Sequence, residues 1–297
     1  MLNENEFYEK LVSLIKAELP RCDVSLKENE KNNVSEIAMI ITGKQMRCSP
    51  VFALKAFYDE YCMNDNLDEI VSKIIDYYVD QIEQSKNVLK QFDELNSYER
   101  VRNLLGIKMV NYESNKDGYI KDAAYKKFLD LAIVPYISLE MKDGIGSCVV
   151  NNHMLKIWNK TIDEVIEDAL SITKKDYEIM DISKMLEVMM PGLFDGETDL
   201  PKTDDMTQMI VVTNHNKING AWNILNEEAL QNVCEKIGDN KFYIIPSSIH
   251  EIICVPVFNQ PGFFKEMIRT VNMESVDPKD ILSNTLYLYD DGDVKIA

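Results

Sequence analysis

The sequence is poor in positive charge, and above all in arginine. Its 297 residues carry 50 acidic against 32 basic side chains, a formal net charge of −18. It has five arginines, and no basic run is longer than two residues. Proteins that wrap a phosphate backbone need net or local positive charge. The composition therefore argues against direct nucleic-acid binding. An acidic surface mainly confers solubility, and as a functional surface it attracts a basic partner or mimics nucleic acid.

The sequence also lacks paired cysteines and long apolar runs. Its six cysteines are scattered singly, with no C-x-x-C pair. This spacing indicates a reducing compartment rather than a disulfide framework. No apolar run approaches the ~20 residues that a membrane span requires, and the acidic, polar amino terminus is unlike a signal peptide. We therefore expect a cytoplasmic protein that does not enter a membrane.

Local motifs for cofactors and metals are missing as well. The glycines form neither a P-loop nor a G-x-G-x-x-G fingerprint, so nucleotide binding has no local signal. The three histidines, His153, His215 and His250, lie far apart and form no H-x-x-x-H pair. The acidic run at 195–199 fails the calcium-loop pattern because its glycine falls at the second position. We predict neither a cofactor nor a metal site.

What the sequence does have is a strongly patterned central stretch. The β-branched run Met209–Val212 predicts a buried strand. Asn226 is a typical helix N-cap, and Gly238 is a typical residue to end that helix. Phe242–Ile245 predicts a second strand and Ile249–Val257 a third. The stretch is therefore predicted to form a β-α-β-β unit.

Patterns of helix and strand divide the chain into four parts. Residues 1–95 predict an α-β-β-α-α unit, in which Pro50 opens the second helix. Residues 98–180 predict a β-hairpin with helices. Residues 181–205 hold seven acids with two prolines and two glycines, which is typical of an acidic linker or surface loop. Residues 206–297 predict a β-α-β-β-α-β-β unit.

The predicted strands are short and follow one another through hairpins. Asp143-Gly144 and Asp291-Gly292 are both favourable hairpin turns. Long crossover helices between strands, as in a doubly wound parallel sheet, are not predicted. We therefore expect an α+β fold with mostly antiparallel sheets and flanking helices, in two subdomains.

A polar cluster, Ser247, Ser248, His250 and Glu251, lies between two apolar predicted strands. A hydrolase needs a hydroxyl nucleophile, an imidazole base and a carboxylate that orients the base. Side chains alternate between faces in an extended strand, so Ser248 and His250 would share one face and Ser247 and Glu251 the other. Glu251 would then not orient His250, and no G-x-S-x-G elbow is present. A structural role, with the serines satisfying the turn backbone, is favoured over a catalytic or ligand-binding role.

Several short motifs of the chain together indicate a family resemblance. They lie around Asn214, Gly220, Pro246, Ser247, Ser248, His250 and Glu251, and at Ile281–Ser283 and Leu286–Tyr289. On these motifs the chain resembles a bacterial family, domain of unknown function 5688 (DUF5688), which occurs largely in gut Firmicutes and often near mobile elements. The element order from Ile133 onward is also similar to that of the domain of unknown function 1444 (DUF1444) family, which differs at the Ser-Ser-Ile-His-Glu positions. Neither resemblance implies an established activity.

Three hypotheses of function follow. The first is a protein-interaction module, associated with bacterial mobile elements, that binds a protein partner and has no chemistry of its own. The second is a hydrolase or small-ligand-binding protein that uses the Pro-Ser-Ser-Ile-His-Glu stretch at 246–251. The third is a nucleic-acid mimic, which requires acids spaced along one face like phosphates.

Overall fold

The computed structural model forms two compact units, Met1–Arg100 with Leu139–Gly146, and Val101–Ser138 with Ser147–Ala297. The predicted acidic linker at 181–205 lies outside the described residues from residue 183 onward. The structure describes residues 1–44, 49–141, 144–182, 209–257 and 261–297.

The first unit packs three helices on an antiparallel sheet. Asn3 and Glu6 form a capping box that starts helix α1 (Glu4–Glu18). The apolar face of this helix, with Phe7 and Leu11, is fully buried. The sheet has the strand order β1-β2-β3. The remaining elements are β1 (Cys22–Lys31), β2 (Val34–Gly43), β3 (Val51–Ala53), α2 (Leu54–Asn64) and α3 (Leu67–Glu94).

The helix predicted to open at Pro50 begins later, at Leu54. The residues before it form strand β3, in which Phe52 lies opposite Met39 of β2. Phe52 is buried in the core of the unit. The prediction was wrong because pairing with β2, a contact made by the fold, outweighs the local helix-start signal of the proline.

In the second unit, one sheet has the order β4-β6-β5, and β7 also pairs with β6. Strand β4 lies antiparallel to β6, with Gly106 opposite Tyr136. The Tyr136 ring packs over Gly106, and a Cβ at this position would lie 2.5 Å from that ring, so a larger residue would require the ring to shift. The elements from residue 98 to 173 are α4 (Tyr98–Val101), a 3₁₀ turn (Arg102–Leu104), β4 (Leu105–Asn111), α5 (Tyr112–Asn115), β5 (Lys126–Phe128), β6 (Leu131–Met141), β7 (Gly144–Val149), α6 (Asn152–Trp158) and α7 (Ile162–Thr173).

The other sheet of the second unit has six strands in the order β13-β12-β10-β11-β9-β8. All its strand pairs are antiparallel, and β8, before the acidic segment, pairs with β9, after it. The predicted helix cap at Asn226 is confirmed. The elements are β8 (Glu178–Asp181), β9 (Ile210–Thr213), a 3₁₀ helix (Gly220–Leu225), α8 (Glu227–Ile237), β10 (Lys241–Ile245), β11 (Ile252–Pro256), α9 (Pro261–Glu274), a 3₁₀ turn (Pro278–Asp280), β12 (Tyr287–Asp290) and β13 (Asp293–Ile296).

The predicted α+β fold with antiparallel sheets and flanking helices is therefore confirmed. Of the helices that the structure describes, none is both long enough and apolar enough to cross a membrane. The predicted site residues belong to the six-stranded sheet, where they lie on the connection between its two central strands, β10 and β11.

Candidate functional site

The turn between β10 and β11 carries the predicted site residues. Pro246, which has no N–H to donate, directly follows β10. Strand β11 begins at Ile252 and not at Ile249 as predicted. The Ser248 N–H instead donates to the Glu251 carbonyl over 3.3 Å, which closes a turn. The predicted alternation of the four side chains over two faces is therefore wrong, because it requires an extended backbone.

The turn places both serine hydroxyls on one carboxylate. The Ser247 and Ser248 hydroxyls donate to Oε1 of Glu251, over 3.1 and 3.2 Å. The Ser248 hydroxyl also accepts the N–H of His250 over 3.0 Å. No described residue donates a hydrogen bond to the second oxygen, Oε2. The serines therefore orient Glu251 and satisfy the turn, and neither hydroxyl is directed at an imidazole.

The imidazole of His250 is oriented by the backbone of a neighbouring loop. Its Nδ1 accepts the N–H of Asn219 over 3.1 Å. A neutral imidazole has one accepting and one donating nitrogen, so the hydrogen is on Nε2. Nε2 lies 3.5 Å from Oδ1 of Asp280, too long for a good hydrogen bond. The one lone pair of this tautomer, on Nδ1, already accepts the Asn219 N–H, so His250 has no free nitrogen to take a proton from a serine.

Two residues of the family motif, Asn214 and Gly220, shape that neighbouring loop. The Asn214 side chain closes it by accepting the Ile218 N–H over 3.1 Å and donating to the Ile218 carbonyl over 2.8 Å. A Cβ at Gly220 would lie 2.4 Å from the His250 carbonyl oxygen. The Thr213 hydroxyl donates to that same oxygen over 2.8 Å. The motif therefore holds the loop directly against the turn.

Buried amides support the loop from behind. The fully buried Asn223 donates from Nδ2 to the carbonyls of Thr213 and Gly220, over 3.2 and 3.0 Å. Asn226 donates to Oδ1 of Asn223 over 2.9 Å and to the Lys174 carbonyl over 3.0 Å. Sequence reasoning found Asn226 only as a helix cap and missed Asn223. The carbonyls that these amides satisfy come together only in the folded chain.

A cleft of about 490 Å³ opens beside the turn. Three of its charged side chains are carboxylates, of Glu251, Asp277 and Asp280. Lys217 contributes an ammonium group that forms no ion pair with any residue the structure describes. Acidic groups therefore outnumber basic ones. The lining is completed by Met180, Thr213, Ser247, Ser248, His250, Ser275 and Val276.

Asp277 and Asp280 come from the 3₁₀ turn, and sequence reasoning gave them no place in the site. The pattern Asp277-Pro278 predicted only the start of a short helix, which is confirmed. The Lys279 N–H and then the Lys279 ammonium hold the pKa of Asp277 below its usual value, which keeps this carboxylate charged. The Asp280 carbonyl accepts the N–H of Ile249 over 2.8 Å and so fixes the turn 246–251 to this segment.

Metal ligation has no support in the part of the chain that the structure describes. It contains no group of three or more histidine, cysteine, aspartate or glutamate side chains placed to hold an ion. Cys254, on β11 beside the site, is wholly buried, and burial raises the pKa of its thiol. A buried neutral thiol is a poor ligand and a poor nucleophile.

Comparison with known proteins identifies one matching family. The model of a family described as a family of unknown function (DUF5688) matches residues 4–291. No curated protein and no solved structure matches the chain. The similarity in element order to the DUF1444 family stays a prediction. Because the match covers nearly the whole chain, this protein belongs to the DUF5688 family.

Proposed function

We propose that this protein acts by binding, and that its cleft receives a cationic amine or guanidine group. Such a group is carried by small ligands and by the lysine and arginine side chains of a protein partner. The proposal keeps the binding function common to the protein-interaction and small-ligand hypotheses, without a hydrolytic step.

The carboxylate of Glu251 carries the proposal. Two serine hydroxyls hold its Oε1, so the side chain has one orientation before any ligand arrives. Oε2 has no donor among the described residues, and Glu251 lines an open cleft. A preoriented carboxylate with a vacant oxygen forms strong, charge-assisted hydrogen bonds with an ammonium or guanidinium ion.

The charge of the whole chain supports the same conclusion. Its formal net charge is −18. A cleft lined by more carboxylates than ammonium groups focuses the negative electrostatic potential of such a protein and raises the local concentration of cations. Cations are therefore attracted at long range and then held by Glu251. The attraction is screened at high ionic strength, because the Debye length falls to about 3 Å at 1 M salt.

The experiment compares the wild-type protein with two matched variants, Glu251→Gln in the cleft and Glu266→Gln on α9. Glu266 is exposed and does not line the cleft, and both changes remove one negative charge. One arm screens small amines and guanidines by ligand-observed NMR, and the other titrates a lysine- and arginine-rich peptide by calorimetry. We expect Glu251→Gln to weaken binding about tenfold, which corresponds to about 1.4 kcal/mol, and Glu266→Gln to leave it unchanged.

The two arms distinguish the sources of the cation. Binding of small compounds alone favours a small-ligand protein, and binding of the peptide alone favours a protein partner. If neither binds, or if both variants weaken binding equally, the proposal is wrong. A fluorophosphonate probe tests the hydrolase hypothesis, and covalent labelling of Ser247 or Ser248 would contradict a purely binding function.

The cellular setting is a proposal of the same kind. The described cysteines, among them Cys22 and Cys62, form no disulfide with one another, which supports a cytoplasmic protein. A bacterial host and an association with mobile elements rest on the family resemblance. Nucleic-acid mimicry stays a prediction, and competition between the protein and DNA for a basic DNA-binding protein is its test.

A further inference from the structure

We propose that His250 is a pH-operated latch that holds the loop 214–220 against the turn 246–251 and so sets the shape of the cleft. Three contacts join the turn to the loop and to the two residues that flank it. The Thr213 hydroxyl donates to the His250 carbonyl, and the Ala221 N–H donates to the Ile249 carbonyl over 3.2 Å. The third contact, from the Asn219 N–H to Nδ1 of His250, is the one whose acceptor can be protonated.

Protonation turns this third contact from attraction into repulsion. In the imidazolium ion both ring nitrogens carry hydrogen. An N–H at Nδ1 of His250 would then face the N–H of Asn219 across a distance that is now 3.1 Å. Two donors cannot share that distance, so either the ring rotates or the Asn219 peptide moves away. In both cases the hydrogen bond from the Asn219 N–H to His250 is lost.

The loop conformation depends on such contacts. Lys217 and Asn219 have φ angles of 55° and 58°, in the left-handed region that is unfavourable for residues with a Cβ atom. Such backbone conformations persist when surrounding contacts hold them. Lys217 also lines the cleft. Release of Asn219 therefore moves a cleft-lining charge.

The charged groups around His250 favour the released state once the ring is protonated. Asp280, 3.5 Å from Nε2, and Asp277 come from the 3₁₀ turn, and Glu251 follows His250 in its own turn. The opposing cations are Lys217 of the loop and Lys279 of the 3₁₀ turn, whose ammonium pairs with Asp277 over 3.1 Å. From β6, Tyr136 contacts the Asn219 side chain, and burial raises the pKa of Tyr136, which keeps the phenol neutral. Of the carboxylates, Asp280 lies next to Nε2, so a protonated ring that leaves the Asn219 N–H can turn toward Asp280.

The latch regulates the cleft of the proposed function, and its effect on ligand affinity rests on that proposal. Its own test needs no ligand. Because an imidazole usually titrates between pH 5 and 8, the experiment compares the whole protein at about pH 8 and about pH 5. Hydrogen exchange of residues 214–221 is measured by mass spectrometry, and the Asn219 amide is followed by NMR.

Two variants serve as controls. His250→Asn puts a side-chain oxygen near the place of Nδ1, so it keeps an acceptor that cannot be protonated in this range. His215→Asn removes the histidine of the loop itself, whose ring contacts Asp176 and not His250, and so shows whether His215 rather than His250 causes a pH-dependent change. Comparing variants at the same pH cancels the intrinsic pH dependence of exchange.

At about pH 5 we expect residues 214–221 to exchange about five- to tenfold faster in the wild type and in His215→Asn than in His250→Asn. At about pH 8 the three proteins should agree. Equal exchange in all three proteins at the lower pH would overturn the latch. If His250→Asn does not fold, the ¹⁵N chemical shifts of the His250 ring in the wild-type protein provide the test. Shifts that show hydrogen on Nδ1 at pH 8 would also overturn the latch. If no amine and no peptide binds, the proposed function is refuted, but the hydrogen-exchange test of the latch is unaffected because it needs no ligand.

Discussion

The carboxylate of Asp130 accepts three hydroxyl groups from the carboxyl-terminal part of the chain. Its Oδ2 accepts Ser283 over 2.6 Å and Thr285 over 2.9 Å, and its Oδ1 accepts Tyr287 over 2.8 Å. Tyr287 is fully buried and Ser283 is 2% exposed, so water does not readily replace the acceptor. Burial, and then the charge of Asp130, raise the pKa of Tyr287. The cluster therefore ties the segment before β6 to strand β12.

We expect Asp130→Ala to lower the free energy of unfolding by about 3–5 kcal/mol. A hydrogen bond to a charged group contributes about 1.5–3 kcal/mol, and a buried hydroxyl left without an acceptor costs about 1–3 kcal/mol. Three independent bonds would sum to more, but they share one carboxylate and their contributions are not additive. The partial exposure of Asp130 lowers the estimate further.

Urea unfolding followed by circular dichroism measures this change. Thr285→Val, which removes one of the three donors, should cost about 1 kcal/mol. The double variant should lose less stability than the sum of the two single losses, because Thr285 has no carboxylate to bind once Asp130 is gone. A loss below about 1 kcal/mol for Asp130→Ala, or strict additivity of the two changes, would refute the reasoning.

Two further changes test the loop and a helix start. Gly220→Ala should lower the free energy of unfolding by about 1–3 kcal/mol, because the added Cβ would overlap backbone atoms. Gly262→Ala is the control, since a Cβ at Gly262 meets nothing within 4 Å. Equal changes in melting temperature for the two variants would contradict this prediction. The Thr161 N–H, then the Lys160 ammonium and the Thr161 hydroxyl, lower the pKa of Glu164 from 4.5 to about 2. A lowered folded-state pKa stabilises above pH 4.5, and the stabilisation is lost as pH falls toward 2. The difference in melting temperature between wild type and Glu164→Gln should therefore shrink from pH 6 to pH 3, and a constant difference would show that the cap does not depend on the charge of Glu164.

Helix boundaries were predictable where the signal lies within one turn of the chain. Asn226 and Gly238 cap the two ends of α8 as predicted, and Thr161 and Glu164 form a capping box whose two residues lie three positions apart in the sequence. The Asp277-Pro278 helix start was predicted on the same basis. In each case the donor and acceptor are separated by a few residues, so the local sequence already contains both partners.

The arrangement of the site was not predictable from those local signals. The sequence placed Ser247, Ser248 and Glu251 near one another, but the assumption of an extended strand assigned them to opposite faces. The turn that brings both hydroxyls onto one carboxylate depends on the Ile249 N–H reaching the Asp280 carbonyl, a contact across 31 residues. Hydrophobic periodicity contains no information about such a contact.

The amino-acid sequence by itself determined the α+β class, the antiparallel hairpins and the acidic character, because periodicity, caps and turns are properties of neighbouring residues. Only the tertiary structure decided which nitrogen of His250 carries its hydrogen and which hydroxyls Asp130 accepts. Asn219 lies 31 residues from His250, and Tyr287 lies 157 residues from Asp130. Hydrogen-bond partners so far apart in the chain are chosen by the packing of sheets and loops, and that packing sets the chemistry of the cleft.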